Sequence, residues 1–156
     1  MRHGIVLCLA LLGVGACGAG LRTFHEQGLS FRYPGDLETG DAVGAHPTGQ
    51  VLGVVGAGAN DYIAARGRPG TLPLARVRAS LPSVLTGVTP ATMRTERRSG
   101  LEMLTAVQRP DARTEARLWF FNGAGRTWEI ECRSTQSRRD EIRSACGRAL
   151  DSIRIG

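Results

Sequence analysis

Cys132 and Cys146 carry the most definite chemistry in this sequence. Around Cys132, Trp128 and Ile130 recur at every second position, opposite Glu129, Glu131 and Arg133, so the thiol shares the apolar face of a strand. Cys146 lies four residues after Ile142 and four before Leu150, on the apolar stripe of a helix. If that helix packs back on the strand, both sulfurs enter one seam, and in an oxidising compartment such a pair closes into a disulfide. The alternative is two buried free thiols. A redox-active pair is a weaker reading, because the spacing is far from Cys-x-x-Cys.

No catalytic set emerges from the remaining reactive residues. A Gly-x-Ser-x-Gly elbow is absent, and His25 and His46 are the only imidazoles beyond the first few residues. His25 precedes Glu26, but neighbours on an extended chain point apart, and structural zinc asks for four ligands at defined spacings. No metal site and no cofactor are therefore expected. Glu129 and Glu131 read as a solvated polar face partnered by nearby arginines rather than as an acid–base pair. Asp140 and Glu141 suit the first turn of a helix, where the dipole favours negative charge. A hydrolase or transferase would need a cleft gathering His25 or His46 with a serine and a carboxylate. Trp119 and Phe121 fall on the opposite side of their strand from Ala116, Leu118 and Phe120. They are either half of a two-sided core or, if one face stays open, an apolar face for a lipid or a partner.

These residues are positioned by a chain of short strands and two helices. Leu29, Phe31 and Tyr33 alternate with polar residues and stop at Pro34, a strand. Residues 36–50 read as loop, 51–57 and 62–66 as strands joined by a turn at Asn60 and Asp61, and 67–70 as loop again. Leu74, Val77, Leu81 and Leu85 fall at helical spacing over 72–85, with Pro82 expected to kink or restart that helix. Ser99-Gly100 and the Asn122–Gly125 stretch predict two hairpins, 93–98 with 101–108 and 115–121 with 126–133. The final helix, 137–153, carries the stripe Ile142, Ala145, Cys146, Ala149, Leu150 and Ile153, and Ser137 with Asp140 resembles a capping box.

The N-terminal end concerns location. Arg2 and His3 precede an apolar run of about ten residues, where a spanning helix needs roughly 20, and small residues follow. That is the plan of a secretory signal peptide. The exit, Val14-Gly15-Ala16-Cys17, resembles the lipobox of bacterial lipoproteins, which implies cleavage after Ala16 and lipidation of Cys17. The alternative is ordinary signal cleavage beside an incidental cysteine. Gly13, Gly15 and Gly18 fit a dinucleotide fingerprint only in spacing, because that motif works between a strand and a helix. The expected organisation is a signal peptide over 1–16, a tether over 17–27 and a single domain over 28–156.

The formal net charge is +6, and all 20 basic residues apart from histidine are arginine. They look dispersed along the chain, without the stripe and interleaved aromatics of a nucleic-acid binder. A solvated basic surface, facing anionic lipid headgroups, is the expectation, and no nucleic-acid partner.

Several pieces in order resemble the PsbP-like group, and within it the LpqN-type exported lipoproteins of actinobacteria. Residues 28–34 resemble the opening strand ending in Tyr-Pro, 51–66 a hairpin with an Asn-x-x-Ile step, 72–85 the first helix, and WEIEC with CGRALDSI the closing strand and helix. The segment after Asp36 lacks the tryptophan often found there. The resemblance implies an α+β fold, an α/β/α sandwich on a mainly antiparallel sheet with two main helices. It also implies a non-enzymatic accessory or binding protein on the membrane, with an envelope protein or a lipid as partner. A lipid or small-molecule carrier is the alternative.

Overall fold

The computed structural model describes residues 20–40 and 50–156. The signal peptide, Cys17 and His46 lie outside the described residues. Ten strands and two helices follow in order: β1 (Leu21–Glu26), β2 (Leu29–Pro34), β3 (Glu38–Gly40), β4 (Gln50–Gly58), β5 (Asp61–Pro69), α1 (Leu74–Val84), β6 (Met93–Arg98), β7 (Leu101–Gln108), β8 (Thr114–Gly123), β9 (Arg126–Thr135), α2 (Arg139–Asp151) and β10 (Arg154–Ile155).

Seven strands form one sheet in the order β3-β4-β5-β9-β8-β7-β6, and a smaller sheet runs β1-β2-β10. All strand pairs are antiparallel. The local reason is turn chemistry. Gln27-Gly28, Ser99-Gly100 and Ala124-Gly125 each place two successive residues at positive φ, between 47° and 86°. That pairing is the type I′ turn, whose twist matches the flanking strands, and glycine takes the second position without strain.

Each face of the large sheet carries one helix. On the first, Trp119, Phe121, Trp128, Ile130 and Cys132 pack with Ile142, Cys146 and Leu150 of α2 and with Phe24, Leu29, Phe31 and Tyr33 of the small sheet. On the second, Leu104, Leu118 and Phe120 pack with Val77, Leu81 and Leu85 of α1. Phe24 stacks on Phe31 with ring centroids 4.7 Å apart. Gly53 lets β4 approach that pair, since a Cβ there would lie 2.5 Å from Phe24 Cε2.

Several expectations are corrected. The tether over 17–27 is, from Leu21 to Glu26, strand β1, because its backbone pairs residue for residue with β2 although only Phe24 is buried. Within 36–50, Glu38–Gly40 is an edge strand on β4. Residues 67–69, read as loop, continue β5 because β9 offers them partners as far as Arg126. Pro82 does not restart α1, which runs through it as one helix. It sits two residues from the helix end, and the amide of Leu85 closes the last turn on the Leu81 carbonyl at 2.8 Å. No capping box starts α2: a 3-10 turn at Gln136–Arg138 delays the helix to Arg139, and the Ser137 hydroxyl lies 3.1 Å from that of Thr135.

Candidate functional site

Strand β8 delivers one polar row to the face covered by α2. Glu115 and Arg117 precede Trp119 and Phe121 on that row by the two-residue repeat of a strand. Trp119 and Phe121 are themselves core, 8% and 0% exposed, the two-sided-core reading of this strand. The physical reason is that α2 and β2 cover the sheet up to β8. The Trp119 indole still has a polar partner, donating its N–H to Glu96 Oε1 at 2.8 Å.

Beyond the edge of α2 the same face opens. A concavity of about 360 Å³ is lined by Arg94, Glu96, Thr105, Arg109, Arg117 and Trp119. A second, of about 170 Å³, lies between β8 and α2 and shares Arg117 and Trp119 with the first. Glu115, a carboxylate only 6% exposed, lines the second concavity beside Arg117. It accepts hydrogen bonds from Arg117 Nε at 2.8 Å, Arg109 Nη2 at 3.1 Å and Arg143 Nη2 at 3.5 Å. Burial pushes the pKa of Glu115 up, but Arg117, Arg109 and Arg139 outweigh it and hold the carboxyl below its ordinary range. One anion therefore organises several guanidinium groups, and the cleft keeps a net positive charge.

A second ionic group lies on the opposite face, where Glu129 and Glu131 were expected to be solvated. They are 3% and 1% exposed. Arg66, equally buried, donates from Nη1 to Glu129 Oε1 at 2.7 Å and to Glu131 Oε2 at 2.6 Å. Arg133 Nε and the Tyr62 hydroxyl also donate to Glu131, at 3.1 and 3.2 Å. Burial, and then the Glu131 charge, raise the Tyr62 pKa, so the phenol stays a donor. Burial lowers the pKa of Arg66, yet the two carboxylates raise it further, so this cation is permanent. Charges balanced in this way, with Nη1 of Arg66 bonded to both carboxylates, suit a structural strut inside the fold rather than proton transfer.

The two thiols of the seam are joined: Cys132 and Cys146 form a disulfide with Cα atoms 6.2 Å apart. His25 is exposed on β1 and shares a shallow depression with Ser30 and Ser99. The Ser99 hydroxyl is spent on the Leu150 carbonyl at 2.7 Å, and no Asp or Glu side chain lines the depression among the described residues. No three His, Cys, Asp or Glu residues converge among the described residues.

Sequence reasoning missed the clustering of the arginines. Glu115 with Arg117, and Arg139 with Arg143, each share a face by local spacing, two residues on a strand and four on a helix. What joins them is the docking of α2 beside β8, which no local pattern reports.

No protein-family model matches the sequence. No curated protein matches it either. Structures do. The solution structure of cyanobacterial PsbP, CyanoP, from Synechocystis superposes with a TM-score of 0.62 at 12% identity, covering 98% of this chain and 100% of that one. The fold is PsbP-like. LpqN, a protein involved in cell envelope biogenesis of Mycobacterium tuberculosis, shares it with a TM-score of 0.51 at 12% identity, over 87% of this chain and 90% of LpqN. What the PsbP-like fold fixes is the mostly antiparallel sheet and its two helices; the cleft at Glu115 is built from this chain's own side chains.

Proposed function

We propose that this chain is a lipid-anchored accessory protein of the extracytoplasmic face of the cell membrane, and that it binds a partner there rather than turning over a substrate. The observation that carries the reading is the PsbP-like fold shared across most of the chain with LpqN, itself involved in cell envelope biogenesis. The layered α/β/α arrangement leaves the edge of β6 and the cleft at Glu115 as binding surface. Val14 to Cys17 supply the lipobox, and lipidation at Cys17 would hold the domain at the bilayer, since two or more acyl chains anchor stably where one does not. Among the described residues no helix is long and apolar enough to cross a membrane.

The carrier alternative calls for an enclosed apolar cavity, and the burial of Trp119 and Phe121 in packed core favours the accessory-protein reading over it. Fractionation tests the anchor: Cys17→Ser is expected to move the protein from the membrane to the soluble fraction with unchanged circular dichroism. Retention of the unlipidated chain on the membrane would sink it. Photo-crosslinking in cells from a probe at Thr105, inside the cleft, tests the binding role. A discrete adduct that depends on Cys17 supports an accessory protein, and an unmodified probe in the membrane-bound chain argues against this surface as the binding face.

A further inference from the structure

The cleft between α2 and the β6–β8 edge holds more positive charge than its acids balance. Arg109, Arg117 and Arg143 each give a single N–H to Glu115, and their remaining donors make no bond among the described residues. Arg139, one helical turn before Arg143, adds its charge to the same carboxylate, and its Nε is buried without a partner. Arg94, on the far wall, makes no ion pair among the described residues, while Glu96 beside it is engaged by the Trp119 indole. Along the two concavities Glu115 and Glu96 thus stand against Arg94, Arg109, Arg117 and Arg143, while Arg98 is balanced by Asp151.

Like charges left to themselves spread out to limit their repulsion. Here three elements bring them to one place, and a buried anion fixes their spacing without neutralising them. Guanidinium forks present paired N–H groups that match a tetrahedral oxyanion, and charge-assisted bonds of this kind are the strong ones. The two concavities are too small for a flat acidic protein surface to enter, but they admit a compact group with a short apolar flank against Trp119. We propose that this cleft is a phosphate-binding site, taking the phosphate group of an anionic phospholipid headgroup or phosphate free in solution. The site deepens the binding-protein reading above and rests on it for the choice of a membrane as one source.

The test uses the full chain carrying Cys17→Ser, so that the anchor does not mask weak binding. Calorimetric titration with inorganic phosphate and co-flotation with phosphatidylglycerol vesicles, against phosphatidylcholine vesicles, are compared at low and physiological salt. Saturable binding is expected, weakening as salt rises. Arg117→Gln with Arg143→Gln should cut the affinity about 25-fold, roughly fivefold for each arginine removed, whereas Arg68→Gln with Arg76→Gln, away from the cleft, should change it little. Should the double cleft variant fail to fold, Arg94→Gln carries the same test, because that guanidinium has no partner to lose; a fivefold weakening is expected.

Binding of phosphate without vesicles identifies a free anion as the ligand, and cleft-dependent binding of phosphatidylglycerol vesicles identifies the headgroup; both support the site. Absence of binding to either probe, or equal losses in cleft and control variants, overturns it. Failure here with a surviving Cys17-dependent crosslink in cells removes the phosphate site and leaves the proposed function standing. Phosphate binding by a protein that stays soluble with Cys17 intact does the reverse.

Discussion

Arg117 on β8 and Arg143 on α2 donate to the same oxygen of Glu115, Oε1, at 2.8 and 3.5 Å. Two like charges meet because a buried carboxylate sits between them, and that carboxylate ties the second helix to the sheet. Its ionisation is therefore linked to stability. Burial opposes the charged form of Glu115, but the arginines win and hold its pKa below the ordinary value.

A depressed carboxylate contributes stability that is present above its unfolded pKa and lost as pH falls through its folded one. Denaturant unfolding between pH 7 and pH 2 should show this loss for the wild type. Glu115→Gln should be less stable at pH 7, and its curve should approach the wild type at the acid end. Parallel curves over the whole range would mean that Glu115 ionisation is not coupled to folding.

Arg66 bridges Glu129 and Glu131 inside the fold. Replacing one member of a buried ion pair costs about 3–5 kcal/mol, because the other charge loses its compensation. Arg66→Met should lose that much in urea unfolding at neutral pH. Adding Glu129→Gln and Glu131→Gln should recover part of it, and the recovery in such a cycle measures the coupling itself. A cost below about 1 kcal/mol for Arg66→Met would mean that the group is solvated.

Tyr62 should titrate late. Burial first, and Glu131 second, raise its pKa above 10.0. A raised phenol stabilises the fold below its unfolded pKa, and this contribution disappears as pH rises through the folded value. The ultraviolet phenolate signal of the wild type minus that of Tyr62→Phe should have its midpoint above pH 10. A difference signal centred at or below 10 would contradict the burial of this hydroxyl.

The Cys132–Cys146 bridge joins β9 to α2 across a separation of 14 residues. Closing a loop of that size contributes about 3 kcal/mol in the chain-entropy model. Reduction, or Cys132→Ala with Cys146→Ala, should lower the melting temperature by about 10 °C at this domain size. An unchanged melting temperature would show that packing of α2 alone holds the seam.

A further element of stability is a close approach between backbone and ring. Gly53→Ala would place its methyl group against Phe24 Cε2. Phe24 should be displaced from Phe31, and amide exchange in β1 should accelerate while β8 and β9 stay protected. Uniform exchange behaviour in both proteins would mean that β1 is not held by this contact.

Local pattern was enough for much of this architecture. The alternation around Phe31 and Tyr33, the two glycine hairpins of 93–108 and 115–133, the stripe of α2 and the positions of Cys132 and Cys146 are set by neighbours a few residues apart. Their geometry repeats with the strand or helix period, so residue order alone carries it. Strand β1 was not legible, because a single buried Phe24 gives no alternation and its order comes from backbone pairing with β2. The polar row of Glu129 and Glu131 was legible as a face, yet a two-residue period says which way a side chain points and not whether that direction is covered. Arg66, 63 residues before Glu129, supplied the answer. The same holds for the cleft: Arg109, Arg117, Arg139 and Arg143 look scattered in order, and only the packing of α2 beside β8 makes them one positively charged site.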